Sequence, residues 1–156
     1  MDKPKFVYVS YISTTAEKLW EALTSGEFTR QYWWGRQVRA EWRAGGRFEM
    51  VKPGGDIDFH GEVLECDPPR KLVYSFDPVD PKFRQSNESP SRVSYELEPE
   101  EGAIKLTVRH EGFEPGSKIF ESIQNGWPAL LSGLKTLLES GRSMQFAVKQ
   151  LECTKQ

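Results

Sequence analysis

Two histidines and two tyrosines are the residues of this 156-residue chain best suited to proton chemistry. His60, His110, Tyr74 and Tyr95 fall in a central region where apolar and polar residues alternate. The alternation predicts that Tyr74, Tyr95 and His110 point toward the covered face of a β-sheet, where a buried polar group needs a hydrogen-bond partner. Such groups can fix the polar part of a ligand. Catalysis would require at least two of them to converge on one ligand atom.

A metal site built on the histidines fails on spacing. His60 and Cys66 lie on one predicted strand, which separates them by about 20 Å at about 3.3 Å per residue. The sequence has no Cys-x-x-Cys or His-x-x-x-His pair, no Gly-x-Ser-x-Gly elbow and no glycine-rich phosphate loop that opens a helix. We therefore predict no metal site, no cofactor and no catalytic residue.

Adjacent aromatic residues mark a second kind of candidate site. Trp33 and Trp34 end a short segment that Gly35 closes. One of them could plug the core and the other cap the surface. Alternatively, at least one could stack on a ligand at the mouth of a cavity, because an indole ring is flat and amphipathic. Phe48 and Phe76 have the parity of the covered sheet face and are expected either in the core or against a ligand.

A long amphipathic helix is the strongest local signal in the chain. Its apolar residues fall within an arc of about 120° at about 100° per residue; they are Ile119, Phe120, Ile123, Trp127, Leu130, Leu131, Leu134, Leu137 and Leu138. The pattern predicts a helix over Ser117–Ser140, about 36 Å long, which Gly141 ends. Phe120, Ile123, Trp127 and Leu131 would be both core and pocket wall.

The remaining elements read as antiparallel strands and a short helix. An apolar run from Lys5 to Ile12 and six further runs between Gln37 and Glu111 predict about seven strands, separated by glycine- and proline-rich turns. Residues 77–90 carry three prolines and predict a loop. A short helix over Thr15–Ser25 is predicted with Thr14 as its cap.

These elements predict an α+β fold in which a curved antiparallel sheet wraps around the C-terminal helix, with short helices after the first strand. Because a bent sheet cannot lie flush on a rod, large side chains plug the gap between them or a ligand cavity remains. We predict that the cavity lies between sheet and helix and is lined by Trp33, Trp34, Phe48, Tyr74, Phe76, Tyr95, His110, Phe120, Ile123, Trp127 and Leu131.

Composition narrows the classes of partner. The net charge is −2, which argues against a nucleic-acid module because such modules need a basic surface. No apolar stretch approaches the length of a membrane helix, and the first ten residues lack the pattern of a signal peptide. Cys66 and Cys153 are too few and too distant for a disulfide framework. We expect a cytoplasmic protein without membrane insertion.

Three segments in order resemble a known family. They are TTAEKLWEALTSGEFTRQYWWG at residues 14–35, GEVLECDPPRKLVYSF at 61–76 and GWPALLSGLKTLLESG at 126–141. Together they resemble the activator of heat-shock protein 90 ATPase homologue 1-like family, within the START-like (SRPBCC) helix-grip superfamily. The resemblance covers about residues 6–142 of a predicted single domain, 1–156. A C-terminal extension, 143–156, follows; its Met144, Phe146, Ala147, Val148 and Leu151 could form another amphipathic element for self-association.

The resemblance implies a helix-lined hydrophobic cavity with a small-molecule ligand, and a link to the stress response. Three functions follow as hypotheses. The first is a non-enzymatic protein that binds a hydrophobic, aromatic or lipid-like small molecule. The second is a protein-interaction or cochaperone-like module, and the third is a cyclase- or aromatase-like enzyme that uses cavity tyrosine or histidine. A monomer or a weak homodimer is expected.

Overall fold

The computed structural model describes residues 3–83 and 89–146. Within these residues, seven strands, three α-helices and one short 3-10 helix follow one another. They are β1 (Phe6–Ile12), α1 (Ala16–Thr24), α2 (Gly26–Thr29), β2 (Gln37–Ala40), β3 (Arg47–Val51), β4 (Ile57–Asp67), β5 (Lys71–Pro78), a 3-10 turn (Pro81–Phe83), β6 (Ser91–Glu100), β7 (Ala103–Glu111) and α3 (Lys118–Ser140).

The strands form one antiparallel sheet in the order β1-β7-β6-β5-β4-β3-β2. Alternation sets its two faces: on β7, Leu106, Val108 and His110 are buried, whereas Arg109 between them is exposed. The inward residues of the strands meet α3 in one hydrophobic cluster. The structure is therefore the predicted α+β helix-grip fold.

Strand β4 departs from regular pairing where the sheet bends. Its register with β5 shifts between Val63 and Glu65, the signature of a β-bulge. At Gly61 the neighbouring strand comes so close that a Cβ atom would lie 2.0 Å from the carbonyl oxygen of Ser75. A residue without a side chain is therefore required at this position, because any other would push the two strands apart.

The helix caps follow the predicted chemistry with one correction. The cap of α1 is Thr15, not Thr14: the Thr15 side chain accepts from the backbone N–H of Lys18. Helix α3 is capped by the Ser117 hydroxyl, and it ends at Gly141, whose φ of 78° suits a glycine.

The loop after β5 starts later than predicted. Residues Asp77 and Pro78 pair with β4 and belong to β5, and Phe83 ends a 3-10 turn. The remainder of the predicted loop includes residues 84–88, which lie outside the described part of the chain. Ala147, Val148 and Leu151 of the C-terminal extension also lie outside it, so their role and the single-domain assignment of 1–156 stay predictions.

Candidate functional site

An apolar pocket of about 160 Å³ opens between the N-terminal half of α3, strands β4 and β5, and the turn that follows α2. An engineered apolar cavity of about 150 Å³ is known to accommodate benzene, so this space suits a single ring. Its walls are Trp33, Trp34, Asp58, Phe59, Phe76, Pro78, Phe83, Ile119, Ser122, Ile123, Gly126, Trp127 and Leu130.

Helix α3 supplies one wall through its spacing. Ile119, Ile123, Trp127 and Leu130 recur every three or four residues and therefore share one face. Gly126 lies beside them, so this part of the wall is bare backbone. Apart from Ser122 the helix wall is apolar, which favours an uncharged ligand surface against it.

The sheet supplies an opposite wall of aromatic rings in mutual contact. Phe59 on β4 and Phe76 on β5 have ring centroids 4.1 Å apart. Trp33 contacts Phe59 at 6.1 Å and meets the edge of Trp127 at 5.6 Å, so it joins the sheet wall to the helix wall. These contacts fix the shape of the pocket because aromatic rings have few rotamers and prefer such tilted or edge geometries.

The turn that carries Trp34 is pinned by Arg36. Trp34 has a φ of 49°, a left-handed conformation that is costly for a bulky residue, and Gly35 follows at 78°. Arg36 Nη1 donates to the carbonyl oxygen of Trp34 at 3.3 Å, and its Nε donates to Asp58 Oδ2 at 2.7 Å. The ion pair is largely shielded, with side chains 19% and 29% exposed. It therefore holds the strained turn against β4.

The Trp34 indole nitrogen has no hydrogen-bond partner among the described residues. The atom is buried, although the side chain as a whole is only partly so. A buried N–H group without an acceptor costs free energy that a bonded one does not. This donor belongs to a side chain that lines the pocket.

A buried polar cluster lies next to the pocket, around His110. The ring is 0% exposed and is surrounded by Phe76, Phe113 and Trp127 at centroid distances of 4.8, 4.6 and 6.0 Å. Burial lowers the pKa of His110 from 6.5 to about 3. The imidazole is therefore neutral at physiological pH.

The hydrogen bonds of His110 fix its tautomer. Trp127 Nε1 can only donate, and it donates to His110 Nδ1 at 3.0 Å. Nε2 therefore carries the proton and donates to the Ser91 hydroxyl at 2.8 Å, which in turn can donate to the Phe76 carbonyl at 3.4 Å. A serine hydroxyl that accepts a hydrogen bond from histidine is not activated as a nucleophile, because the histidine does not act as its base.

The two predicted tyrosines form a closed pair. Their hydroxyl groups lie 2.8 Å apart, and both rings are almost completely buried. Burial raises the pKa of Tyr74 and of Tyr95 well above the usual value of 10. Tyr32, whose hydroxyl donates to the carbonyl of Ala22 at 2.7 Å, has a pKa raised for the same reason. None of the three hydroxyls lines the pocket.

The predicted site residues divide into two groups. Five of them line the pocket: Trp33, Trp34, Phe76, Ile123 and Trp127. The other six lie outside its walls, Phe48, Tyr74, Tyr95, His110 and Leu131 in the core and Phe120 against Phe113. Whether any of these residues contacts a ligand stays a prediction.

Several wall residues were not among the predicted set. Ile119 and Leu130 belong to the apolar stripe of α3, so its helical spacing could have indicated them. Gly126 has no side chain to enter a hydrophobic pattern. Asp58 and Phe83 join the pocket through the end of β4 and the 3-10 turn, positions that no local pattern marks.

Other surface features are less suited to a small apolar ligand. Larger clefts of about 480 and 430 Å³ lie at the turn between β3 and β4 and across the outer face of the sheet. The second is lined by the ion pairs Arg92–Glu111 and Arg109–Glu96. Their charged or glycine-rich walls offer little apolar contact, so the smaller aromatic pocket is the better candidate.

The described residues contain neither a candidate metal cluster nor a candidate membrane-spanning helix. Within residues 3–83 and 89–146, no three His, Cys, Asp or Glu side chains are grouped so that they could hold a metal ion. No helix in that part of the chain is long and apolar enough to cross a membrane.

Comparison with known proteins agrees with the fold. A family model described as Activator of Hsp90 ATPase homolog 1-like protein matches residues 13–139. Protein MLL2253 from Mesorhizobium loti is 27% identical at a TM-score of 0.74, and the match covers 87% of this chain and 97% of that one. A comparison with curated proteins finds no match.

Two more distant structures show the same fold. The Aha1 dimer from Colwellia psychrerythraea is 17% identical at a TM-score of 0.72, with 90% of this chain and 99% of that chain covered. The protein PFC0360w from Plasmodium falciparum, described as an HSP90 activator, is 21% identical at a TM-score of 0.71, with coverages of 86% and 96%.

Proposed function

The chain belongs to the Activator of Hsp90 ATPase homolog 1-like protein family, and we propose that it binds a small apolar molecule non-covalently in the pocket beside α3. The observation that carries the proposal is the pocket itself, whose walls are almost entirely aromatic and aliphatic. Apolar concave sites with a few polar groups are typical of small-molecule binding. The polar groups here are Asp58, Ser122 and the Trp34 indole.

Pocket size favours a ring over a lipid. Sites for larger ligands usually enclose about 300–1,000 Å³, whereas this one has about 160 Å³. The volume of this pocket is enough for a one-ring molecule, whereas a long-chain lipid requires the walls to separate. Of the predicted ligands, we therefore propose an aromatic molecule and not a lipid-like one.

The test is a titration with ring-sized compounds in which thermal unfolding and protein-observed NMR report binding. A ligand present at about 100 times its Kd adds about 2.7 kcal/mol to the free energy of unfolding. Ile123→Trp fills the pocket and should abolish this gain in the free energy of unfolding. Leu138→Trp, which adds the same side chain at a half-buried position near the other end of α3, is the matched control. No response to any ring-sized compound would contradict the proposal.

A protein-interaction module is the second candidate, and one surface favours it. On β1, an edge strand, the outward residues Val7, Val9 and Tyr11 are 44%, 44% and 53% exposed. An apolar stripe on an edge strand is a common contact surface for another chain. Two structures of similar fold are described as an Aha1 dimer and an HSP90 activator, which supports this candidate.

Val9→Lys tests the interaction module directly. If the β1 stripe contacts a second copy or a chaperone, the substitution should lower the apparent mass in light scattering or abolish stimulation of chaperone ATPase activity. Val79→Lys, at another exposed valine away from β1, is the control. Equal behaviour of both variants and the parent chain would remove this candidate.

The enzyme hypothesis has less support from the geometry. Tyr74, Tyr95 and His110 are buried outside the pocket walls, and their hydrogen bonds are made to each other or to neighbouring core residues. His60 is exposed on β4, where it lies 3.8 Å from Asp77. These four groups do not converge on the pocket, as acid–base catalysis there would require.

A further inference from the structure

Gly126 is a glycine that neither the backbone nor the packing of the fold explains. It lies inside α3 without a left-handed φ, and a Cβ atom there would meet nothing within 4 Å. By contrast, a Cβ at Gly46 or Gly61 would lie 2.1 or 2.0 Å from a backbone oxygen. A glycine inside a helix destabilises it relative to alanine. Its presence therefore calls for another reason, and it lines the pocket.

The Trp34 indole is a second feature that the fold leaves unexplained. Its Nε1 is a buried donor without a partner among the described residues, and its backbone is held in a left-handed conformation. Strained backbone and unsatisfied polar groups concentrate at functional sites. Trp34 lines the same pocket as Gly126.

We propose that the pocket binds a flat, uncharged ring that carries a hydrogen-bond acceptor, with the ring against the bare backbone of Gly126 and the acceptor on Trp34 Nε1. This inference rests on the proposed function and names its ligand class. Aromatic ketones, aldehydes and lactams have this chemistry.

The two contacts follow from different physical needs. Without a Cβ at Gly126, a ring can approach the helix backbone closely, and its dispersion contacts improve as the gap closes. An acceptor on the ring would satisfy the Trp34 donor, which is otherwise desolvated without compensation. Because Nε1 is itself buried, the indole must turn toward the ligand, so binding moves Trp34.

The charge of the pocket limits the ligand further. Among the lining residues that the structure describes, Asp58 is the ionisable one, and Arg36 occupies one of its oxygens. An anionic ligand would bring a second negative charge near Asp58 in a largely apolar space. A neutral acceptor avoids this repulsion.

Three probes separate these contributions. Acetophenone has a ring and a neutral acceptor, α-methylstyrene has nearly the same shape without the acceptor, and benzoate has a charged acceptor. Their Kd values are measured by NMR titration of the full chain. Benzoate should bind at least about tenfold more weakly than acetophenone. The indole N–H resonance of Trp34, identified by its absence in Trp34→Phe, should move farther downfield with acetophenone than with α-methylstyrene, because only acetophenone can accept its hydrogen bond.

Two variant pairs test the two contacts. Trp34→Phe keeps a ring and removes the donor. The Kd of α-methylstyrene divided by that of acetophenone should therefore fall by about 2- to 10-fold, the range for one neutral hydrogen bond. Trp42→Phe, outside the pocket, should leave the ratio unchanged. Gly126→Leu should weaken both probes more than tenfold, and Asn125→Leu, on the exposed side of α3, should weaken neither.

The outcomes distinguish this inference from the proposed function. If both probes bind but Trp34→Phe leaves their Kd ratio unchanged, or the Trp34 indole resonance does not move, the acceptor assignment is overturned and the proposed function stands. If Gly126→Leu binds both probes as the parent does, the ring does not lie on Gly126 and the inference is wrong. If neither probe binds the parent chain at millimolar concentration, the inference is wrong, whereas the proposed function fails only if the other ring-sized compounds also give no response.

Discussion

Acid should destabilise this protein through His110 well before its carboxylates protonate. The imidazole is completely buried, and burial lowers its pKa to about 3 from the 6.5 of an exposed histidine. Below pH 6.5 the unfolded chain takes up a proton at this residue and the folded chain does not. The unfolded state then binds more protons, so the free energy of unfolding falls as the pH falls.

The size of the effect follows from the two pKa values. Each pH unit between 6.5 and 3 removes about 1.4 kcal/mol, so stability should fall by about 2 kcal/mol between about pH 7 and pH 5. The pKa of Glu139 is also lowered, first by its hydrogen bond with Lys135 and then by the backbone N–H of Ser13. Its contribution is lost only as the pH falls below its ordinary value of 4.5. The interval from pH 7 to 5 therefore reports on His110.

Denaturant unfolding followed by far-UV circular dichroism at several pH values measures this slope. His110→Asn cannot titrate, yet its side-chain oxygen can still accept from Trp127, so the variant should lose stability at pH 7 and show little further loss down to pH 5. His60→Gln, at an exposed ring, should keep the parent slope. A parent chain whose stability changes by less than about 0.5 kcal/mol over this interval would refute the reasoning.

Three further predictions concern stability and use the same unfolding assay. Tyr74→Phe should cost about 1–3 kcal/mol because it strands the Tyr95 hydroxyl, and the double Phe variant should cost less than the sum of the two single changes; additivity would show that the pair is uncoupled. Gly61→Ala should cost more than about 3 kcal/mol, since its Cβ would lie 2.0 Å from a backbone oxygen; a near-neutral result would contradict that close approach. Arg36→Ala should cost about 1–2 kcal/mol through its partly buried pair with Asp58, and a double-mutant cycle with Asp58→Asn checks that the loss belongs to the pair.

Local periodicity predicted the strands and the two longer α-helices of this fold. The helical spacing of Ile119 through Leu138 and the stop at Gly141 predicted α3 within one residue of its observed start. Alternation predicted the inward direction of Tyr95 and His110, both of which are buried. Helical spacing and strand alternation can each be read within a single element, because the direction of a side chain depends on the geometry of its own helix or strand.

Hydrogen-bond partners in the core required the sheet register. The sequence indicated that Tyr74 and Tyr95 each needed a partner, and they prove to be partners of each other because β5 and β6 place them on neighbouring strands. His110 likewise meets Trp127 because the packing of α3 against the sheet brings the two side chains within hydrogen-bond distance. Partner choice depends on distances between elements far apart in the chain, which local spacing does not contain.

The sequence therefore established which residues face inward, and the tertiary structure established which of them border a void. Phe48 and Phe76 have the same parity, yet only Phe76 lines the pocket. Gly126 and Asp58 line the pocket although neither belongs to an apolar sequence pattern, and the backbone of Trp34 is left-handed at this wall. A cavity is the space that several packed elements leave between them, so its position depends on their joint arrangement and on no single stretch of chain.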